Sequence, residues 1–263
     1  TEGPGHATEL AREAAGRVPA IYVFSGDGGF NEVLNGVGAG VPLGFLPGGG
    51  TNVLPRALGL PRNAAAAARR VAEALEAGRT RTIGLGRVNG RRFAFAAGVG
   101  FDAELVRRVD ALGRRDDGKR PGDLAYLAAA VRLVTERKGR FEPALEVQRL
   151  GRAAFALVAN TDPYSYAGRI PLRVAPEARF ELGLDLVAPR SVRARVLPQV
   201  AWWVLAGRGQ ERSRHLLYVH DVDDLRIVCD APLPLQVDGE DLGDVGEAHF
   251  EAERDALQVL TPG

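Results

Sequence analysis

Two short apolar runs, residues 21–24 and 41–46, each lead straight into a glycine-rich stretch: S-G-D-G-G-F-N-E-V-L-N-G at 25–36 and P-G-G-G-T-N at 47–52. A short run without polar alternation suits a strand of a parallel sheet, covered on both faces. The glycines around Asp27 let the backbone approach a ligand closely. The residues after them, with Val33 and Leu34, can begin a helix whose amides face an anion. Either stretch by itself reads more simply as an ordinary strand-to-helix turn. Two of them at the carboxyl ends of successive parallel strands sit where open sheets bind ligands, which favours a phosphate site.

The first eighty residues alternate helix and strand. A helix is expected at 8–15 with Gly16 as its stop, strands at 20–24 and 42–46, and a short helix over 30–34. The clearest helix is at 63–77, with Ala68, Val71, Ala72 and Leu75 at helical spacing and Gly78 closing it. From Thr80 the pattern becomes antiparallel: strands at 80–88 and 91–97 flank Asn89-Gly90, a strong hairpin signal. Helices follow at 102–112, at 123–137 with Asp123 as N-cap and Gly139 as stop, and at 192–206. Further strands are expected at 144–148, 153–159, 182–187, 215–220, 225–229, 235–238 and 257–260. The chain therefore divides into an α/β domain at 1–79 and a β-rich domain at 80–255.

With 263 residues, 46% of them hydrophobic, the chain can bury one large core or two modest ones. Its formal charge of +1 supplies no broad basic field, and no nucleic-acid partner is expected. The single cysteine, Cys229, excludes an internal disulfide and reads as a buried strand residue. No stretch approaches the roughly 18–20 apolar residues of a membrane span, and no signal peptide is evident, so a cytoplasmic protein is expected. The chain begins at Thr1 and contains no methionine, so a trimmed N-terminus is expected as well.

Residues 113–119, G-R-R-D-D-G-K, match most of a P-loop, but Arg120 stands where Ser or Thr is needed and the stretch follows a helix. It reads as an exposed basic loop. At 236–241 the sequence is Q-V-D-G-E-D, whose Asp-Gly is by itself a common hairpin turn. Phosphoryl transfer, however, needs loops to cradle phosphates, Mg²⁺ to neutralise charge and an acidic group for the acceptor's proton. Asp27, Asp238 and Glu240 are the right residue types for those tasks.

Read together, S-G-D-G-G-F-N-E-V-L-N-G, P-G-G-G-T-N-V-L-P-R-A-L-G-L-P, A-A-G-V-G-F-D-A-E, V-A-N-T-D-P-Y-S-Y-A-G-R-I-P-L-R-V-A-P-E-A and L-Q-V-D-G-E cover nearly the whole chain in this order. They resemble the diacylglycerol kinase catalytic-domain family, which includes bacterial lipid kinases and sphingosine kinases and is more distantly related to NAD kinase and phosphofructokinase. The resemblance implies an N-terminal α/β nucleotide-binding domain and a C-terminal antiparallel β-sandwich. ATP would lie in the cleft and the lipid on the second domain, and a terminal strand, about 256–263, would return to the first. Carried over by position, Gly26, Asp27, Gly28 and Gly29 form the nucleotide phosphate loop, with Asn31 and Glu32 close by and Gly48, Gly49, Gly50, Thr51 and Asn52 as its partner. Asp238 and Glu240 match the family's acidic pair, with Asp238 as general base. Asp27 either competes for that role or sits in the Mg²⁺ network. Asp102 aligns near the lipid head group.

The implied activity is ATP- and Mg²⁺-dependent phosphorylation of a lipid hydroxyl, with diacylglycerol the first substrate. It would occur by peripheral contact with the inner membrane face, and a homodimer is one assembly to test. The chain also departs from the family's pattern. The usual Gly-Gly-Asp-Gly-Thr has Ser25 in first place and Gly29 in last, which removes a hydroxyl worth about 1 kcal/mol if it caps or binds phosphate. The usual Asp-Asp-Gly-x-Leu-Asp appears as E-L-G-L-D at 181–185, and the family's opening strand with its Asn-Pro would precede Thr1. These departures motivate a catalytically silent nucleotide- or lipid-binding relative as an alternative, and NAD kinase is a third reading. Trp202 and Trp203 read as core packing rather than bilayer insertion, and the arginines of 107–120 as a solvated loop rather than an anionic-lipid site. His6, His215, His220 and His249 lack metal-ligand spacing.

Overall fold

The computed structural model describes residues 1–113 and 121–262. α1 (His6–Ala14) is followed by β1 (Ile21–Ser25), α2 (Asp27–Leu34), β2 (Leu43–Pro47), α3 (Val53–Ala57) and α4 (Ala64–Glu76). β1 and β2 pair in parallel, from Ile21 opposite Leu43 to Ser25 opposite Pro47, so the two glycine stretches leave the same end of the sheet. The first stretch is less of a loop than its glycines suggest. Gly26 is the N-cap and Asp27 to Gly29 already form the first turn of α2, where an acidic residue suits the helix dipole. α4 buries Ala67, Val71 and Ala74, one position off the expected stripe. Its alanines make neighbouring stripes almost equally apolar, so spacing alone does not select the buried one.

β3 (Thr80–Val88) turns through Asn89 and Gly90, at φ of 48° and 87°, into β4 (Arg91–Phe93). The strand expected to run to residue 97 stops there, and β5 (Ala96–Val99) pairs elsewhere in the sheet. The interruption at 94–95 is held by Asp238, whose carboxylate accepts the amides of Ala94, Phe95 and Ala96. α5 (Phe101–Asp110) and α6 (Asp123–Glu136) follow, with Gly122 rather than Asp123 at the N-cap position of α6. Most of the P-loop-like stretch, and the arginines at 114–120, lie outside the described residues.

The remaining elements are β6 (Arg140–Phe141), β7 (Leu145–Val147), β8 (Gly151–Ala153), β9 (Ala156–Ala159), β10 (Ser165–Ala167), β11 (Ile170–Leu172), β12 (Leu184–Pro189), β13 (Val192–Arg193), α7 (Leu197–Ala206), β14 (Leu216–Val222), β15 (Asp224–Val237) and β16 (Glu240–Leu260). The expected strand 153–159 is divided between β8 and β9. Strands 225–229 and 235–238 are instead one, β15, whose pairing with β16 slips between Val228 and Leu233. The helix expected from 192 begins at Leu197, because Val192 and Arg193 pair with β6 and Pro198 suits a first helical turn. α7 has no buried residue and Trp202 is 67% exposed, so the core packing expected of Trp202 is not found. Cys229 lies on β15 and is only partly buried.

Among the described residues twelve strands form one mixed sheet, with the order β1-β2-β16-β15-β5-β9-β12-β14 along its main path. β16 is its axis: it pairs antiparallel with β15 and β3, and its end runs parallel to β2 with Val259 opposite Leu43. One large core joins Phe30, Leu43 and Phe45 to Ile83, Leu85 and Leu257, and a second lies around Phe93, Leu186, Ile227 and Phe250. No described helix is long and apolar enough to cross a membrane.

Candidate active site

At the carboxyl ends of β1 and β2 the two glycine stretches touch backbone to backbone. Gly48 N donates to Ser25 O at 2.7 Å, and a Cβ on Gly49 would lie 2.7 Å from the Cα of Gly26. Only glycine permits that approach. The N-terminus of α2 has no side-chain cap, so first-turn amides remain available to an anion. In the second stretch Asn52, at φ 52°, closes the turn with both ends of its amide: Oδ1 accepts from Gly49 N at 2.8 Å and Nδ2 donates to Gly49 O at 2.7 Å. Thr51 O accepts from Arg56 at 3.5 Å, and a Cβ on Gly50 would meet open space.

Asp27 joins the two stretches. Its Oδ2 accepts from Val53 N at 3.0 Å and its Oδ1 from Leu54 N at 3.2 Å, so the first residue of α2 caps α3. Burial pushes its pKa up to about 6; the amides of Val53 and Leu54 pull it down, and the charge of Asp238 pushes it up.

Asp238 and Gly239 form the turn between β15 and β16, at φ of 48° and 81°, so the hairpin reading of Q-V-D-G-E-D holds together with a place in the site. Asp238 is 3% exposed. Its Oδ1 accepts from the amides of Phe95 and Ala96 at 3.0 and 3.2 Å, and its Oδ2 from Ala94 N at 2.7 Å and Asn31 Nδ2 at 2.8 Å. Four donors occupy the acceptor sites of one carboxylate. Burial raises its pKa, against the pull of those donors. Asn31, fully buried, spends its other amide hydrogen on Arg92 O at 2.9 Å, which ties α2 to β4. Glu240 is closer to the phosphate loop. Its Oε1 would be 2.3 Å from a Cβ on Gly28, Arg91 stands 3.5 Å from its Oε2, and its side chain is 28% exposed.

Asp102, in the first turn of α5, accepts from Tyr164 OH at 2.7 Å and from Gln236 Nε2 at 2.6 Å. Burial raises its pKa, and those two bonds lower it. Gln236 Oε1 accepts from Gly239 N at 2.9 Å, which links Asp102 to the turn holding Asp238. Tyr164 and Gln236 were not among the expected site residues. Both lie within the motif stretches, and Gln236 is near the end of β15, two positions before Asp238 in the turn that follows. Glu32 is turned elsewhere: its Oε2 accepts from Ala7 N at 3.2 Å and its carbonyl from Thr8 Oγ1, so it binds the start of α1 rather than the phosphate loop. Asp185 is likewise engaged with His220 and with Asp221 N.

No cluster of three or more His, Cys, Asp or Glu among the described residues could hold a metal by itself. Mg²⁺ in phosphoryl-transfer sites uses one or two carboxylates together with substrate phosphates and water. Asp27, at the junction of both glycine stretches, is the carboxylate that could hold such a cation.

The family described as Diacylglycerol kinase catalytic domain matches residues 1–88. Diacylglycerol kinase of Bacillus subtilis (strain 168) is 30% identical over 242 residues, which cover 90% of this chain and 76% of that protein. The chain spans about half the length of three further relatives described as candidate lipid kinases, from Staphylococcus haemolyticus, Staphylococcus carnosus and Streptococcus pneumoniae. Among solved structures, a candidate diacylglycerol kinase from Bacillus anthracis str. Sterne superposes with a TM-score of 0.76 at 22% identity, over 99% of this chain and 82% of that one. An ATP complex of NAD kinase from Archaeoglobus fulgidus gives 0.52 at 13% identity, over 97% and 80%. The mixed α/β fold is thus shared with both kinds of kinase, and by sequence the chain belongs to the diacylglycerol kinase catalytic domain family.

Proposed function

We propose that the protein is an ATP-dependent lipid kinase that transfers the γ-phosphoryl group to a lipid hydroxyl at a membrane surface, with diacylglycerol converted to phosphatidic acid. The observation that carries this reading is the meeting of Asn31, in the helix after the first glycine stretch, with Asp238, 207 positions later, at 2.8 Å. That contact brings an acidic hairpin turn against an uncapped helix N-terminus. Residues 1–79 with the end of β16 would hold the nucleotide, and residues 80–255 would present the lipid.

The amides of Gly26 to Gly29 and those of Gly50 and Thr51 would bind phosphate oxygens, while Gly48, Gly49 and Asn52 shape the second stretch through their own hydrogen bonds, and Asp27 would hold Mg²⁺, which would neutralise charge developing on the transferred group. An acceptor hydroxyl needs a carboxylate with a lone pair to spare. Asp238 spends its lone pairs on four N–H donors, so in this reading it is a positioning residue rather than the general base that the resemblance implied: it fixes Asn31, the strand break at 94–95 and the turn. The proton acceptor is assigned to Glu240 on its position: its side chain is partly exposed, beside Gly28 of the phosphate loop and next to Arg91. Asp102, oriented by Tyr164 and Gln236, would meet the lipid head group.

Labelled-phosphate transfer from ATP to diacylglycerol, sphingosine, phosphatidylglycerol and NAD in parallel tests the reading. Diacylglycerol should be the favoured acceptor, and Glu240→Gln should lower turnover by about 10²-fold or more while ATP affinity stays near wild type. Transfer to NAD alone would move the protein to the NAD kinases. ATP binding without transfer to any lipid would make it a silent relative.

A further inference from the structure

α7 is unusual for a helix on a protein surface. Its sequence, L-P-Q-V-A-W-W-V-L-A, has no charge, yet none of its residues is buried. Trp202 is 67% exposed and Leu205 54% exposed. An uncharged, largely apolar helix belongs against another apolar body. The chain supplies one only on the inner side. Val196 and Leu197 pack on the small core of Leu133, Phe141, Ala154 and Val192, and Val204 packs on the large one. Arg173 N donates to Val204 O at 2.7 Å and Gln210 Nε2 to Trp203 O at 3.1 Å, which pins the helix without covering its outer face. Ile170, 54% exposed, starts the strand β11 that α7 packs against, and it adds an exposed apolar side chain on the neighbouring strand.

The surroundings are strongly basic. Residues 190–214 contain six arginines, at 190, 193, 195, 208, 212 and 214, all exposed, against one acidic residue, Glu211. The whole chain carries a net charge of only +1. An apolar centre with an exposed tryptophan and a basic rim complements a bilayer with anionic head groups: the indole and leucine enter the boundary layer and the guanidinium groups meet phosphates. A second copy of the same face would set these arginines against each other.

We propose that the outer face of α7, centred on Trp202, Leu205 and Ile170, is the surface that docks the protein on a bilayer containing anionic lipid. The purpose of docking rests on the lipid-kinase reading. The β10–β11 hairpin that carries Ile170 also reaches the second glycine stretch: the Arg56 guanidinium stacks 3.2 Å from the Tyr166 ring centre, and Arg56 donates to Gly168 O at 3.1 Å and Thr51 O at 3.5 Å. One hairpin therefore joins the docking face to the phosphate loop.

Trp202 and Trp203 are the chain's two tryptophans, so its intrinsic tryptophan emission reports on α7. Mixed phosphatidylcholine–phosphatidylglycerol vesicles should shift the emission to the blue, and brominated acyl chains should quench it, whereas pure phosphatidylcholine vesicles should do little. Trp202→Ser and Leu205→Ser should each weaken vesicle binding about tenfold, and each arginine removed from 193 and 195 about fivefold at low salt. Circular dichroism and activity on a short-chain, water-dispersed diacylglycerol should be unchanged in these variants. Unmoved emission in the presence of anionic vesicles overturns the proposal, even if vesicle-borne lipid is phosphorylated. A concentration-dependent dimer that Trp202→Ser dissolves also overturns it, because the face then binds a second copy. Blue-shifted, quenched emission without phosphate transfer to any lipid sustains docking and removes the lipid-kinase reading instead.

Discussion

Ser25 and Gly29 are the two departures of the first glycine stretch from its family's pattern, and they touch. A Cβ on Gly29 would lie 2.1 Å from Ser25 Oγ and 2.8 Å from Ser25 Cβ. Position 29 has given up its hydroxyl, and position 25, one turn earlier, carries one in the same space. Gly29→Thr, which would restore the residue usual in the family's pattern, is therefore expected to cost about 1–3 kcal/mol by overpacking and to lower activity. Ser25→Gly combined with Gly29→Thr should recover most of both. A double-mutant cycle on unfolding free energies and kcat checks this, since independent sites would add within about 0.5 kcal/mol. Asp27 offers a second test at this scale. Its pKa rises from 3.8 to about 6 in the folded protein, so between those values the folded state holds its proton longer than the unfolded one. Stability is then lost as pH rises through about 4 to 6. In denaturant titrations without nucleotide, Asp27→Asn should lack that part of the decline, and an identical pH slope in both proteins would refute the assignment. The type of site residue was legible in sequence, but its direction was not. Glu32 faces α1 because of where that helix packs, and Asp238 is saturated because a strand break 143 positions earlier turns its amides inward.

At the scale of elements, legibility followed the strength of local signals. Asn89-Gly90 marks its turn because both positions need positive φ, and glycine and asparagine tolerate it. α4 was clear from alanine content and spacing, and its N-cap is Asn63, which the expected bounds placed inside the helix: Asn63 Oδ1 accepts from Ala66 N at 2.9 Å. Asn63→Ala should cost about 1 kcal/mol and lower the thermal midpoint by about 2–4 °C, with kinase activity unchanged. A midpoint within error of wild type would mean that tertiary packing alone holds the helix. Strand lengths were less legible. β10 and β11 are three-residue strands that include Pro171, too short for any alternation to show. β15 and β16 read as fragments because register shifts between Val228 and Leu233 in their hairpin, and between Glu253 and Leu257 where β16 pairs with β3, interrupt the pattern of the long strands. Trp202 was misjudged for a related reason. Apolar spacing states that a helix has a face to cover, not that the chain itself covers it.

For the whole molecule, the question is whether a sequence that changes character near residue 79 unfolds in two steps. β16 argues against it. The strand pairs with β3 and β15 on the later side of that position and, at Val259, with β2 on the earlier side. The large core mixes Phe30, Leu43 and Phe45 with Ile83, Leu85, Tyr164 and Leu257, so opening either half exposes apolar surface of the other. The Asn31–Asp238 contact adds a buried polar tie between α2 and the β15–β16 turn. Calorimetry should accordingly give one transition. Mg²⁺-ATP at about a hundred times its Kd should move that transition as a unit, by about 2.7 kcal/mol, or about 5–10 °C, and chelation of Mg²⁺ should remove most of the shift. Two transitions, of which nucleotide moves only one, would instead mean that the halves fold separately and that β16 is a seam between domains.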